Sequence, residues 1–376
     1  MKKPIAVFSF VLLLLNAASV TCSTGYTGSD TCGTCHDEIY KAWKSSRHGK
    51  SFEPEKEESG SCRGCHETGG SSGSGTIVNN VGCEACHGPG EAHVSDGGDP
   101  AGIISDNSAD ICGRCHNGNL SGNNKWAQDY KPGIKLKDHT ELKLIHIDPD
   151  KIPPSGKGIH PSLIYNMWLA SGHAGIPVRK TEINGREWKG PVSCTACHNP
   201  HNSEHSSQLV IEKEKLCSGC HFQSEVLRGY GAKGIEETRS LHTAIPCYSC
   251  HMTEKNHLMK VLRPDNPDLE EDRLDSCSDC HDIKDREMRT HQIQDMESWY
   301  NETMEPVQAD LKELDKLLEK KPDLLTPEQK EMLSDVKANL AIITDDGSKG
   351  VHNLEYALEI MSLAKRHLKK IKKAVQ

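Results

Sequence analysis

The strongest constraint on this chain is a five-residue pattern, Cys-x-x-Cys-His, that occurs eight times along 376 residues. The eight copies account for sixteen of the seventeen cysteines, and each copy ends in histidine. The paired cysteines are Cys32 and Cys35, Cys62 and Cys65, Cys83 and Cys86, Cys112 and Cys115, Cys194 and Cys197, Cys217 and Cys220, Cys247 and Cys250, and Cys277 and Cys280. The histidines that follow them are His36, His66, His87, His116, His198, His221, His251 and His281. We number these motifs 1 to 8 in chain order.

Paired cysteines have three other common uses, which are disulfides, structural zinc sites and redox-active thiol pairs. An exported chain forms disulfides readily, and CxxC pairs are frequent zinc ligands. None of these uses requires a histidine after every second cysteine. In c-type haem attachment, by contrast, both thiols bond to one edge of the haem and the histidine becomes an axial ligand of its iron. The pattern therefore predicts eight covalent haems c.

The composition agrees with a cofactor-filled interior. Only 35% of the residues are hydrophobic, aromatic residues make up 5%, and phenylalanine occurs four times. A chain of this length ordinarily forms two or three domains, and these side chains are too few to fill such cores. Eight flat macrocycles supply the missing apolar surface. We expect a mostly α fold with extensive irregular loops, wrapped around a haem stack and followed by a helical hairpin or three-helix unit.

Motif spacing and composition predict five segments. Lys2 and Lys3 precede an apolar run and small residues, the pattern of a secretory signal peptide. A long gap between motifs 4 and 5 is rich in proline and contains one short helix near Leu163–Leu169. The expected segments are a signal peptide (1–21), a four-haem module (22–130), an irregular insert (131–190), a second four-haem module (191–290) and a helical tail (291–376).

The signal peptide predicts export, to the periplasm or to the outer membrane and cell exterior. Cys22, the seventeenth cysteine, lies near the mature terminus, where it is either a lipid anchor or a spare thiol. No later segment is apolar for long enough to span a membrane. The formal charge of −9 argues against a nucleic-acid partner, because phosphate contacts need a basic surface.

Thirteen histidines lie outside the motifs and are candidates for the second axial position. His201 follows His198 by three residues, which is too short a connection to reach the opposite face of the same haem. If residues 37–48 are helical, His48 lies ~18 Å along the axis from His36. We therefore expect His48 and His201 to ligate neighbouring haems.

The predicted distal ligands also rest on local patterns. Trp-x-x-Ser-x-His occurs at residues 43–48 and 168–173, and other histidines lie close to a motif. The predicted set is His48, His93, His173, His201, His242, His257, His291 and His352. The last of these is the least determined, and His139, His146, His160 and His205 remain alternatives for that position.

The tail has a helical pattern. Apolar residues recur at steps of three and four from Ile293 to Leu318, which predicts a long amphipathic helix that ends at Pro322. Residues 326–329 form a capping-box sequence that opens a second helix. Asn353 is expected to cap a third, which ends near Ala374. Lysines in its last turns fit the helix dipole, and a docking role for them stays open.

Several runs resemble secreted multihaem c-type cytochromes. The unit CxxCH followed by WxxSxH, together with VGCEACHGPGEAH and CTACHNPH, resembles decahaem cytochromes of the outer-membrane-conduit and dimethyl-sulfoxide-respiration type. That unit is also similar to hydroxylamine oxidoreductase and tetrahaem nitrifier cytochromes, and the GVHN…YA helix to the pentahaem nitrite reductase superfamily. The resemblance covers residues 30–290 well and the tail weakly. It implies bis-His haems whose ligands cross between neighbours.

These features predict an electron carrier rather than an enzyme, with no catalytic residues. Expected partners are redox proteins, such as other cytochromes, a quinol dehydrogenase or a terminal reductase. Membrane association and self-assembly stay open. The alternative is an oxidoreductase of the nitrite or hydroxylamine type with one open haem, for which motif 4 is the candidate. The nitrite reductase group has a CxxCK motif that this chain lacks, and the hydroxylamine group has a cross-linked tyrosine, for which Tyr300 and Tyr356 are candidates.

Overall fold

The computed structural model describes residues 25–52, 60–69, 78–118, 135–138, 144–155, 163–176, 179–183, 186–190, 192–202 and 204–375. The predicted signal peptide, Cys22, His139 and His160 lie outside these residues. The described part is mostly α-helical with few strands, as the sequence predicts.

Short helices carry most of the motifs. Within a motif the histidine N–H donates to the carbonyl of the first cysteine, for example from His198 to Cys194 at 2.8 Å. This single helical turn brings positions i, i+3 and i+4 to one face, so both thiols and the imidazole point the same way. The helices of this region are α1 Ser29–Gly33, α2 Asp37–Ser45, α3 Gly60–His66, α4 Cys83–His87, α5 Glu91–Ser95, α6 Ala109–Gly113, α7 Ile164–Ala170, α8 Cys194–Cys197, α9 Gln223–Arg228 and α10 Cys247–His251.

Two small antiparallel ladders complete this region. Strands β1 (Glu67–Thr68) and β2 (Val78–Asn79) pair directly after motif 2. Strands β3 (Arg179–Ile183) and β4 (Arg186–Gly190) pair in the predicted insert. Helix α7 attaches that insert to motif 4, because the Tyr165 N–H donates to the His116 carbonyl at 2.8 Å. The predicted short helix near Leu163 is therefore confirmed.

The tail is a three-helix unit with the main hydrophobic core of the described chain. Its helices are α11 (Arg286–Lys320), α12 (Pro327–Asp346) and α13 (Leu354–Val375), and both α11 and α12 pack against α13. Both hydrogen bonds of the predicted capping box, between Thr326 and Gln329, are present at the start of α12. Helix α13 is amphipathic, and its apolar face is almost fully buried in this core.

Polar contacts attach the tail to the segment that follows motif 6. Asn353 Nδ2 donates to the carbonyl of Thr238 at 2.6 Å and to that of Val226 at 3.0 Å. The Tyr356 hydroxyl accepts from the Ala232 N–H at 2.8 Å. These groups are buried, so the bonds fix where α13 begins relative to the haem-motif region.

A buried ion pair makes a second attachment, directly before motif 8. The Asp275 side chain is fully buried and accepts from Arg289 at 3.1 Å and from Arg286 at 3.2 Å. It also accepts from the Ser278 hydroxyl and the Cys277 N–H, each at 2.8 Å. The first turn of α11 is thereby held against the motif. Among the helices that the structure describes, none is long and apolar enough to cross a membrane.

Candidate haem-binding site

The motifs line one continuous cavity. Its volume is about 3910 Å³, and its lining includes all sixteen motif cysteines, all eight motif histidines and seven others. Divided among eight motifs, the cavity gives about 490 Å³ each, within the range of about 300–1,000 Å³ that holds one cofactor-sized ligand. The seven other histidines are His48, His93, His173, His201, His242, His257 and His352.

These histidines form seven pairs of neighbouring rings, and each pair joins one motif histidine to one that is outside the motifs. The distances between ring centroids fall between 5.9 and 6.4 Å in all seven. The pairs are His36 with His93, His116 with His48, His87 with His201, His221 with His173, His198 with His257, His281 with His242, and His251 with His352.

The spacing fits two imidazoles on opposite sides of one metal ion. A histidine nitrogen lies about 2 Å from a first-row metal ion, so two trans rings have centroids roughly 6 Å apart. A chance set of aromatic contacts would spread over about 4.5–7 Å and would not pair each motif histidine with a histidine from elsewhere. The arrangement therefore fits bis-His haem ligation at seven motifs.

Several of these rings are held by a hydrogen bond through the same ring nitrogen, Nδ1. The Nδ1 atoms of His87, His93 and His198 lie 2.7–2.9 Å from the backbone carbonyls of Ile104, Asp99 and Ser207. A carbonyl only accepts, so Nδ1 carries the proton and donates. The tautomer leaves the Nε2 lone pair of each ring free for a metal ion, which is the usual arrangement around a ligating histidine. His66, His251 and His257 make the same type of bond.

Burial supports the neutral state of the paired rings. The pKa values of His48, His173, His198, His201, His251 and His257 are lowered, in each case mainly by burial. A neutral imidazole is the form that ligates iron.

The pairs are those expected if ligands cross between motifs. His48 faces His116 and not His36, and His201 faces His87 and not His198. The short chain between a motif and the histidine that follows it explains this arrangement. Within a few residues, a histidine cannot pass around the edge of its own motif's haem.

One predicted distal ligand is misplaced. His291 lies on an exposed face of α11, and in the described chain its ring faces no motif histidine. The preceding Arg289 points inward to the buried Asp275. His291 follows Arg289 by two residues, which is a rotation of about 200° around the helix axis. Because Arg289 points inward, His291 points toward solvent. The ring that faces His281 of motif 8 is that of His242, so nearness along the sequence was a poor guide for His291.

The distal ligand of motif 2 stays a prediction. His139 and His160, two of the candidates from the sequence, lie outside the described residues.

A repeated unit holds two of the distal histidines, and the sequence analysis recognised only part of it. Tyr40 and Tyr165 lie three residues before the two tryptophans of the Trp-x-x-Ser-x-His patterns and contact their rings. Each tyrosine hydroxyl donates to an aspartate two residues before a motif, Asp30 for motif 1 and Asp110 for motif 4.

The glycine of each of these two motifs fits beneath the tyrosine of its unit. A Cβ on Gly33 would lie 2.7 Å from the Tyr40 ring, and one on Gly113 would lie 2.5 Å from the Tyr165 ring. The full repeat therefore reads D-x-C-G-x-C-H and Y-x-x-W-x-x-S-x-H. The two parts are separated by three residues in the first copy and by most of the insert in the second. Aligning the two copies would have revealed it from sequence.

Contacts between motif cysteines give the order of the motifs in space. Thiols of different motifs lie close to each other in four places, Cys32 near Cys83, Cys65 near Cys115, Cys112 near Cys194, and Cys217 near Cys247, and each pair shifts the pKa values of its two members. Burial and then a nearby thiol raise the pKa of Cys86 (beside Cys115) and of Cys197 (beside Cys220) to about 11, and raise that of Cys250 (beside Cys280). Motifs 1, 3, 4, 5, 6, 7 and 8 thus follow one another in a line, with motif 2 beside motif 4.

Within the described ranges, none of the sixteen motif cysteines forms a disulfide. The tyrosines considered for a haem cross-link are inside the tail, where Tyr300 donates to the Ile343 carbonyl and Tyr356 is fully buried.

Comparisons with known proteins agree with this site. Residues 31–88 match a family model described as cytochrome c554 and c-prime, and residues 189–225 match the doubled CXXCH motif. The outer cell wall cytochrome OcwA is 20% identical, with 91% of this chain and 99% of that chain covered and a TM-score of 0.68. The undecaheme cytochrome from the S-layer of Carboxydothermus ferrireducens is 18% identical, with 92% and 70% covered and a TM-score of 0.55. No curated protein matches.

The two structures share the fold of this chain, and the two family models cover separate parts of it. The repeated motif and the cavity that it lines agree with these matches. In fold and in these two segments, the chain is similar to multihaem c-type cytochromes.

Proposed function

We propose that this chain is an octahaem cytochrome that transfers electrons between redox proteins at the cell envelope through mostly bis-His haems. The observation that carries the proposal is the single cavity lined by all eight motifs and by seven additional histidines, each facing one motif histidine. Haem, when bound, supplies an iron that exchanges single electrons between its ferric and ferrous states.

The chain's own residues favour transfer over catalysis. At seven motifs the two facing imidazoles would hold a bound haem iron from both sides, which would leave no coordination position for a substrate there. At motif 4, the candidate for an open haem, His48 faces His116 at 6.4 Å. Tyr300 and Tyr356 are held in the tail core and cannot reach a motif. The oxidoreductase alternative therefore has no geometric support at these positions.

The order of the motifs provides a route. Electrons that enter at motif 1 would pass motifs 3, 4, 5, 6 and 7 to reach motif 8, because cysteines of successive motifs lie near enough to shift each other's pKa. Motif 2 joins this line at motif 4. The line has two ends and one side branch, which gives three places where a partner can exchange electrons.

Location and partners follow from sequence and comparison together. The predicted signal peptide implies export, and the two similar structures are described as an outer cell wall and an S-layer cytochrome. We propose that this chain also works outside the cytoplasm. Its net negative charge favours partners with cationic surfaces, so association should weaken as salt rises.

The test uses the full chain produced with haem-attachment machinery. Intact mass should show eight covalent haems, and the reduced protein should pass electrons to a soluble basic cytochrome faster at low salt than at high salt. Fewer than eight haems would contradict the haem count. Steady turnover of nitrite or hydroxylamine by the intact protein would favour the oxidoreductase alternative.

A further inference from the structure

The ligand histidine contributed by the tail has an unusual hydrogen-bond partner. His352 Nδ1 donates to Oδ1 of Asp346 at 2.7 Å, and the Asp346 side chain is 3% exposed. The same ring faces His251 of motif 7 at 6.2 Å. Six other cavity histidines have a described Nδ1 contact, and each of those contacts is to a neutral backbone carbonyl.

The position of Asp346 is unfavourable for the helix that carries it. Asp346 is the last residue of α12, where the partial negative charge of the helix dipole disfavours a carboxylate. The Ser348 hydroxyl donates to its other oxygen, and the Ser348 N–H lies 3.3 Å from it. Sequences break a local rule most often where function requires it. The partner that this carboxylate reaches is a ligand of motif 7.

We propose that Asp346 lowers the reduction potential of the haem at motif 7 by polarising His352 toward an imidazolate. This inference rests on the proposed bis-His ligation of that motif. A carboxylate that accepts the Nδ1 proton makes the ligand more basic, which stabilises ferric over ferrous iron. A backbone carbonyl accepts the same bond without a negative charge and has a weaker effect.

A lowered potential at motif 7 affects electron transfer along the line of motifs. Motif 7 has one cysteine near motif 6 (Cys247, near Cys217) and the other near motif 8 (Cys250, near Cys280). A low-potential haem at that point makes the step from motif 6 uphill and the step to motif 8 downhill. Asp346 therefore separates motif 8, at one end of the line, from the other motifs. The tail, which provides both Asp346 and His352, controls that step.

The test is a spectroelectrochemical titration of the full haem-loaded protein and of Asp346→Asn. The amide oxygen still accepts from Nδ1 but without charge. One component of eight should become easier to reduce, with about a tenfold rise in its reduced-to-oxidised ratio at a fixed potential, or about 59 mV. Asp345→Asn is the matched control, because it removes the same charge from an exposed neighbour and should shift nothing.

Two further variants test whether the shift comes from Asp346 and belongs to motif 7. Ser348→Ala removes a hydrogen bond that partly neutralises Asp346, so the same component should become harder to reduce. In a Cys247→Ala/Cys250→Ala background, which lacks the haem of motif 7, Asp346→Asn should change no remaining component. The proposal is overturned if neither Asp346→Asn nor Ser348→Ala moves a component, or if Asp345→Asn gives the same shift. The haem count from intact mass tests the proposed function separately.

Discussion

His48 faces His116, a residue 68 positions further along the chain, although His48 directly follows the helix that begins at motif 1. The helix α2 carries it away from His36 and toward motif 4. The buried Trp43 fixes the end of this helix, because its Nε1–H donates to the Val81 carbonyl at 2.9 Å. Each histidine of this kind therefore ties two motifs together, and the motifs depend on one another for their ligands.

The pairing of His48 with His116 predicts which haem loses a ligand when His48 is replaced. His48→Ala should create one high-spin ferric haem, because motif 4 loses its second imidazole. The effect should persist in a Cys32→Ala/Cys35→Ala background that has no haem at motif 1. Electron paramagnetic resonance measures the high-spin signal. If His48 served motif 1, that background would show no new signal, and His205→Ala, outside the cavity, should show none in either case.

Motif 2 should take its distal ligand from the insert. We expect that one of the two variants His139→Ala and His160→Ala produces a single high-spin haem and that the other leaves the spectrum unchanged. His146→Ala is the control, since His146 is in the same insert and pairs with no motif histidine in the described chain. A high-spin signal from His146→Ala, or from neither of the first two variants, would contradict this assignment.

The two glycines beneath the tyrosine rings should tolerate no side chain. Gly33→Ala and Gly113→Ala place a methyl group against Tyr40 and Tyr165, and overpacking of this kind costs about 1–3 kcal/mol. Chemical denaturation of the haem-loaded protein measures the loss. Gly172→Ala is the matched control, because nothing lies within 4 Å of its Cβ. Equal stability of all three variants would show that the close approach is unimportant.

The Asp275 ion pair should stabilise the joint between motif 8 and the tail. Removing one partner from a buried pair costs about 3–5 kcal/mol, so Asp275→Asn should lower the free energy of unfolding by that order. The exposed Asp279→Asn should change it by about 0.5 kcal/mol or less. An equal effect of the two substitutions would contradict the account.

The same ion pair gives the stability a pH dependence. Burial alone would raise the pKa of Asp275, but the Ser278 hydroxyl, the Cys277 N–H and Arg289 together lower it. A carboxyl whose folded pKa lies below its unfolded pKa stabilises the fold above the unfolded value, about 3.9 for aspartate, and this stabilisation is lost as pH falls through the folded value. The stability difference between the native chain and Asp275→Asn should therefore shrink in acid. A difference that grows in acid would contradict this direction.

Sequence alone predicted much of this site because its chemistry is local. A CxxCH motif needs only one helical turn to align both thiols and the imidazole, and the chain length between His198 and His201 is enough to exclude a shared haem. The three tail helices were also predictable, because capping residues and apolar spacing are local signals.

The remaining features depend on tertiary packing. His257 faces His198 from 59 residues away, and no local pattern indicates that contact. His291 was misassigned because its distance from motif 8 says nothing about which side of α11 it occupies. The contact between Asp346 and His352 depends on the turn between α12 and α13, which sequence spacing does not determine.

The most direct test of the central claim is electron paramagnetic resonance of the fully oxidised, haem-loaded protein. The seven facing pairs, together with the distal ligand that we expect motif 2 to take from the insert, predict low-spin ferric signals alone, with a total that matches the haem count from intact mass. An axial high-spin signal near g of about 6 that integrates to one haem would show an open iron. That result would contradict an electron carrier with both axial positions filled at each motif.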